Sequence, residues 1–163
     1  MTYRYPRGYT GRRARARYAS CQEQIQVRHE GGDRCRIRVA SHEVVVDQPV
    51  PDGGTDTGPT PTDLFVGTLA ACTAHYAGRF LARHGVEPDG LVARATFDVG
   101  DRPARVTDVD LRLVVPGLPE ELEDRLRAVV EHCTVKNSIA TAPAIDLQIA
   151  RERARVGAGA DAS

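Results

Sequence analysis

Four cysteines, Cys21, Cys35, Cys72 and Cys133, are the residues of this 163-residue chain with the widest chemical reach. Their wide spacing does not resemble the disulfide framework of a small secreted domain. In a reducing compartment a buried thiol is either an inert small hydrophobe or a redox group. Cys35 alternates with Ile37 and Val39 and reads as core packing. Cys72 lies in the middle of a long apolar helical run, and Cys133 falls eleven residues after Leu122 on the inward face of a second helical run. Two thiols that meet can pass from thiolate to sulfenic acid to disulfide. His75 shares the helix face of Cys72 and could hydrogen-bond the thiol, although a satisfied interior or interface histidine is the simpler reading. A Cys2His2 metal set of Cys72, His75, His132 and Cys133 is conceivable. It is disfavoured because Cys72 and His75 sit mid-helix and the neighbours His132 and Cys133 diverge.

The element that must position Cys72 spans residues 58 to 85 and is well punctuated. Thr60 can cap it, Pro61 suits the first helical position, and Asp63 completes a capping box. Arg83 and His84 put positive charge in the last turn, and Gly85 supplies a left-handed residue beyond it. Apolar residues surround most of this helix, so burial on several sides is expected. Arg79 and Arg83 within it argue against a membrane span.

Around that helix the pattern is one of strands. Ile25 and Val27, a Glu30-Gly31-Gly32-Asp33 turn, and Cys35, Ile37 and Val39 predict a hairpin, with Val44 and Val46 in a third strand. A Pro-, Gly- and Asp-rich loop over 48–59 leads to the helix. Leu91 to Val99 and Val109 to Val115 alternate as an antiparallel pair about Arg102-Pro103. Pro119, Glu120 and Glu121 open a second helix with Leu122, Leu126, Val129, Val130 and Cys133 inward. Thr134 can cap a short third helix ending before Pro143, and Ile145, Leu147 and Ile149 predict a last strand. The order βββ-α-ββ-αα-β is an α+β arrangement, with two hairpin-based sheets around a long central helix that bears Cys72.

The length favours one domain with a sizeable core. Net charge is zero, yet the first 22 residues carry six arginines and no acid, leaving 16 basic against 22 acidic residues in the remainder. That acidic body disfavours a nucleic-acid partner. Residues 1–22 read as a basic extension expected to be disordered, 23–152 as the domain and 153–163 as a flexible tail. No apolar run follows the basic start, so no signal peptide is expected and the cytoplasm is the expected location.

The stretch GPTPTDLFVGTLAACTAHYAGRFLARHG resembles the cysteine helix of the OsmC/Ohr family, and HCTVKNSI resembles its second cysteine motif. The preceding VVVDQPVPDGGTDTGPTP also fits, and the match runs in order over about residues 24 to 151. The resemblance implies an OsmC-like fold, an intertwined homodimer with active sites at the subunit interface, and a thiol-dependent peroxidase that reduces organic hydroperoxides. By position Cys72 would be the peroxidatic cysteine and Cys133 the resolving one. A dithiol or other thiol would be the reductant, and no metal or organic cofactor would be needed.

A buried thiol titrates above about 8.5, and Cys72 lies too far from its helix start for the dipole to help, so a cation is required. The family uses an arginine near the first hairpin turn, held by an acid at the start of the cysteine helix. Arg34 is the best match and Arg28 the runner-up. The peroxidases proper carry Glu ten residues before the cysteine, where this chain has Thr62. Asp63 matches the acid of the broader OsmC-like branch, although its capping role explains it without catalysis. Thr134 stands where the family often has proline. The alternative to a peroxidase is a non-catalytic OsmC-like protein that senses redox state or binds a small apolar ligand.

Overall fold

The computed structural model describes residues 25–151. The basic segment over 1–22, with Cys21 close behind its last arginine, and the 153–163 tail lie outside them. Strands β1 (Gln26–Gly31), β2 (Arg34–Val39) and β3 (His42–Val46) form an antiparallel meander in that order. The expected Glu30–Asp33 turn is present, and Gly31 and Gly32 carry its positive φ angles of 111° and 56°. His29 pairs with Cys35, Val27 with Ile37, and Ile37 with Val44, which collects the apolar side chains on one face. The opposite face carries Arg28, Glu30, Arg36, Arg38 and Glu43.

Between β3 and the central helix the chain is tied into a knot by Asp47, which is 1% exposed. Its carboxylate accepts from the backbone N–H of Gln48, Thr55 and Thr57 at 2.9 to 3.1 Å, and from both threonine hydroxyls at 2.6 and 2.8 Å. Gly54 is obligatory here, because a Cβ would stand 1.9 Å from the Gln48 carbonyl oxygen. A short 3-10 turn over Val50–Asp52 lies within the loop.

Helix α1 runs from Pro61 to Arg83 with the expected Thr60–Asp63 capping box. At 23 residues it is about 35 Å long. Its inward stripe, Val66, Leu69, Thr73, Ala77, Phe80 and Leu81, packs against β4 (Val92–Asp101) and β5 (Ala104–Val114), which pair antiparallel, and against helices α2 (Glu120–Val130) and α3 (Thr134–Ala140). Ala77, Phe80, Leu81 and Leu126 form the core, joined by Leu91, Leu113, Leu122 and Val129. Among the described residues no helix is long and apolar enough to cross a membrane.

Four expectations are corrected. First, among the described residues α1 is buried along one stripe only: Phe65 is 43% exposed and Ala71 and His75 face outward, with no other described element laid over that side. Second, residues 145–149 form no strand, and Ile145, Leu147 and Ile149 are 82 to 89% exposed. Alternation marks a face that wants covering; it does not supply a sheet edge to pair with. Third, Cys35 is half-buried rather than in the core, since its sheet face is covered only at the end of its partner Val46, 3% exposed, while Val27 on the same face is 57% exposed. Fourth, α2 stops at Val130, so Cys133 is not part of it, and Cys133, not Thr134, is the residue that caps α3.

Candidate functional site

Cys72 stands midway along α1, half-buried, on the side that meets the start of α3. Cys133 lies beneath it, fully buried, with the extended backbone of a helix cap (φ −65°, ψ 150°). Its sulfur accepts from the Lys136 N–H at 3.4 Å. This placement follows from the break after Val130: the turn through Glu131 and His132 reverses the chain and drives the next side chain under α1. His132 is exposed, as expected of a neighbour that diverges from Cys133.

The two thiols are near enough for Cys133 to act on the titration of Cys72. Burial pushes the Cys72 thiol up, and Cys133 beside it pushes in the same direction. The backbone N–H groups of Val135 and Thr134, at the open end of α3, push the other way, favouring the thiolate. The net direction is upward. In the single chain the Cys72 thiol is thus disfavoured as the anion, while two backbone N–H groups nearby favour it.

The expected activating residues are not gathered at this thiol. Arg34 pairs with Glu30 at 3.3 Å on the first hairpin, and its Nε is a buried donor without an aligned hydrogen bond. Glu30 is held ionised chiefly by Arg36, which places its carboxyl below the usual range. Asp63 is occupied by the capping box, its Oδ2 accepting from the Thr60 N–H at 2.9 Å and the Thr60 hydroxyl at 2.7 Å. Among the described residues no ion pair joins Arg34 to Asp63. The hairpin turn and the loop before α1 do approach each other, for a Cβ on Gly53 would stand 3.4 Å from Asp33 Oδ2. Arg28 lies on the polar face of the first sheet, in a shallow cavity of about 280 Å³ lined by Gln26, Glu30, Arg36, Arg38 and Glu43.

His75 is exposed and turns edge-on to Tyr76, with ring centroids 6.0 Å apart, instead of facing the thiol. With His132 also outward, the Cys2His2 set does not assemble, and no group of three metal-ligating side chains gathers among the described residues. Tyr76 was missed at the level of sequence. Its hydroxyl lies 2.8 Å from Thr134 Oγ1, bridging α1 to the residue after Cys133. The available signal was its position four residues after Cys72, which puts it on the same helix face.

A family model described as OsmC-like protein matches residues 54–148, more than half of the chain. No curated protein matches the sequence. Among solved structures the chain is similar to a candidate osmotic stress induced and detoxification response protein of Psychrobacter arcticus 273-4, at 23% identity and a TM-score of 0.66, covering 70% of this chain and 85% of that one. It is also similar to an OsmC like protein of Mycoplasma pneumoniae, at 14% identity and 0.59, covering 75% and 91%. The organic hydroperoxide resistance protein OhrB of Bacillus subtilis aligns at 17% identity and 0.52, covering 75% and 94%. At these identities the likeness establishes the fold.

Proposed function

Since this chain belongs to the OsmC-like protein family, we propose that it is a cytoplasmic, thiol-dependent peroxidase that reduces organic hydroperoxides to alcohols. The observation that carries the proposal is the proximity of Cys72, midway along α1, and Cys133, at the cap of α3, close enough for one to act on the titration of the other. Structural neighbours named for organic hydroperoxide resistance are consistent with it.

In the proposed cycle the Cys72 thiolate attacks one oxygen of the O–O bond. A sulfur–oxygen bond forms, the O–O bond breaks, and the other oxygen leaves as the alcohol after taking a proton. Cys133 then attacks the Cys72 sulfenic acid, forming the disulfide and releasing water. A dithiol or other thiol reductant restores both thiols by exchange. No metal or organic cofactor enters.

The cation is proposed to be Arg34, held by Asp63, and the working unit to be an intertwined homodimer. Several features among the described residues support a second copy: the exposed outer side of α1, the exposed Val27 and Val44 on the apolar face of the first sheet, and the exposed alternation of Ile145, Leu147 and Ile149. The first sheet meets the rest of its own chain mainly through the loop that follows it, so dimerisation could carry Arg34 to a thiol while exchanging Glu30 for Asp63. A slower redox-sensing role for the same pair is favoured by one observation, the upward push on Cys72 in the single chain. Steady-state turnover separates the two. The peroxidase consumes an alkyl hydroperoxide continuously when supplied with a dithiol, and Cys72→Ser stops it. Oxidation once per chain without turnover would leave the sensor.

A further inference from the structure

We propose that Tyr76 is a positioning residue for the resolving thiol: its hydroxyl holds Thr134, and through it the start of α3, so that Cys133 stays against Cys72. This rests on the peroxidase proposal for its purpose, though not for its geometry. Helix α3 has seven residues and none of its side chains is buried, so apolar packing of its own does not hold it on α1. What holds its first turn is a small set of polar contacts. Tyr76 Oη meets Thr134 Oγ1 at 2.8 Å, the Lys136 N–H donates to the Cys133 sulfur at 3.4 Å, and the Thr134 and Val135 N–H groups and Cys133 lie near enough to the Cys72 sulfur to act on its titration.

The contacts through sulfur change at each step of the cycle. The Cys72 sulfur goes from thiolate to sulfenic acid to disulfide, and its capacity to accept from two N–H groups falls as its charge is lost. The Tyr76–Thr134 bond contains no sulfur, and without it the start of α3 would be free to leave α1 in the reduced chain but not in the disulfide, so its loss costs the disulfide the ordering of α3. It therefore keeps the start of α3 on α1 while a sulfenic acid waits for its partner, which raises the local concentration of Cys133 at Cys72. It also assigns a role to Thr134. Where the family often restrains the residue after this cysteine with a proline ring, this chain restrains it from outside with a hydroxyl pair 58 residues apart.

The test equilibrates the full-length chain with reduced and oxidised dithiothreitol and reads the Cys72–Cys133 disulfide by alkylation and mass spectrometry. Tyr76→Phe and Thr134→Val should each lower the disulfide equilibrium constant about three- to tenfold, the range of one neutral hydrogen bond. The double variant should fall no further than either single one, and Thr134→Ser should match the wild type. With an alkyl hydroperoxide, Tyr76→Phe should leave a Cys72 sulfenic acid that dimedone traps in greater yield. Should Tyr76→Phe misfold, the contrast between Thr134→Val and Thr134→Ser carries the test alone. Unchanged equilibria in both single variants, additive losses in the double, or a wild-type chain that forms no Cys72–Cys133 disulfide would each overturn the proposal. If the equilibria shift as stated and peroxide leaves the wild-type thiols intact, the clamp stands and the peroxidase proposal fails.

Discussion

At the residue scale the decisive quantity is the charge state of Cys72. Burial and the adjacent Cys133 raise its titration in the single chain, and two backbone N–H groups work against them. An arginine within about 4–6 Å would lower a thiol by roughly one to three pH units. Arg34→Gln should therefore lift the midpoint for Cys72 alkylation by about that amount and slow the reaction with hydroperoxide at pH 7 about tenfold or more. Arg28→Gln should leave both within a factor of about two, since an exposed charge that does not reach the thiol contributes little. The pH profile of iodoacetamide alkylation for the two variants measures this, and a larger effect at Arg28 would move the activating role there. Sequence reasoning reached Cys72 through the period of its helical run and Cys133 through the motif HCTVKNSI, since the helical period that placed Cys133 inward ends at Val130. It could not reach Tyr76 or the capping role of Cys133. Those depend on where α2 stops, and helix ends are set by local hydrogen bonds that periodicity does not encode.

At the element scale the loop before α1 is held by one carboxylate. Asp47 accepts five hydrogen bonds while almost wholly removed from water, and these hold its carboxyl well below the usual carboxylate range, with the Thr55 hydroxyl the largest influence. A group whose folded titration is depressed binds fewer protons folded than unfolded. Its stabilisation is therefore complete above the unfolded value of about 3.9 and is lost as the pH falls below that. Melting temperature should drop steeply in the wild type as pH falls from 5 towards 2. Asp47→Asn should melt lower at pH 7 and show a shallower acid slope, by circular dichroism. Equal slopes would remove the carboxylate from this role. The core of α1 permits a second check: Leu81, wholly buried, should cost about 2–5 kcal/mol in urea unfolding when changed to Ala. The sequence foretold α1 closely because Thr60, Pro61, Asp63, Arg83 and Gly85 each report a local requirement of a helix end. It was silent on the Asp47 knot, whose donors come from threonines eight and ten residues away across a loop.

At the scale of the whole molecule the apolar pattern asks for more cover than the described residues supply. The expectation of burial all around α1 and of a strand at 145–149 came from real patterns, and both are unmet for the same reason: among the described residues nothing covers or pairs with these faces. A second copy would answer both. Sedimentation of the full-length chain should give a dimer, and replacing Ile145, Leu147 and Ile149 together with Thr or Ser should weaken it at least tenfold in concentration midpoint, about 1.4 kcal/mol per decade. A monomer at tens of micromolar would leave those residues without that role and would leave Arg34 with Glu30.

The most direct test of the proposed activity is a single turnover. Reduced protein is mixed with one equivalent of an alkyl hydroperoxide or, separately, hydrogen peroxide, quenched at intervals, and mapped by peptide mass for free thiols and for a Cys72–Cys133 disulfide. Expected is rapid loss of two thiols per chain with formation of that disulfide, faster with the organic peroxide and absent in Cys72→Ser. Survival of both thiols in excess hydroperoxide would contradict the peroxidase and leave an OsmC-like scaffold with a structural thiol pair.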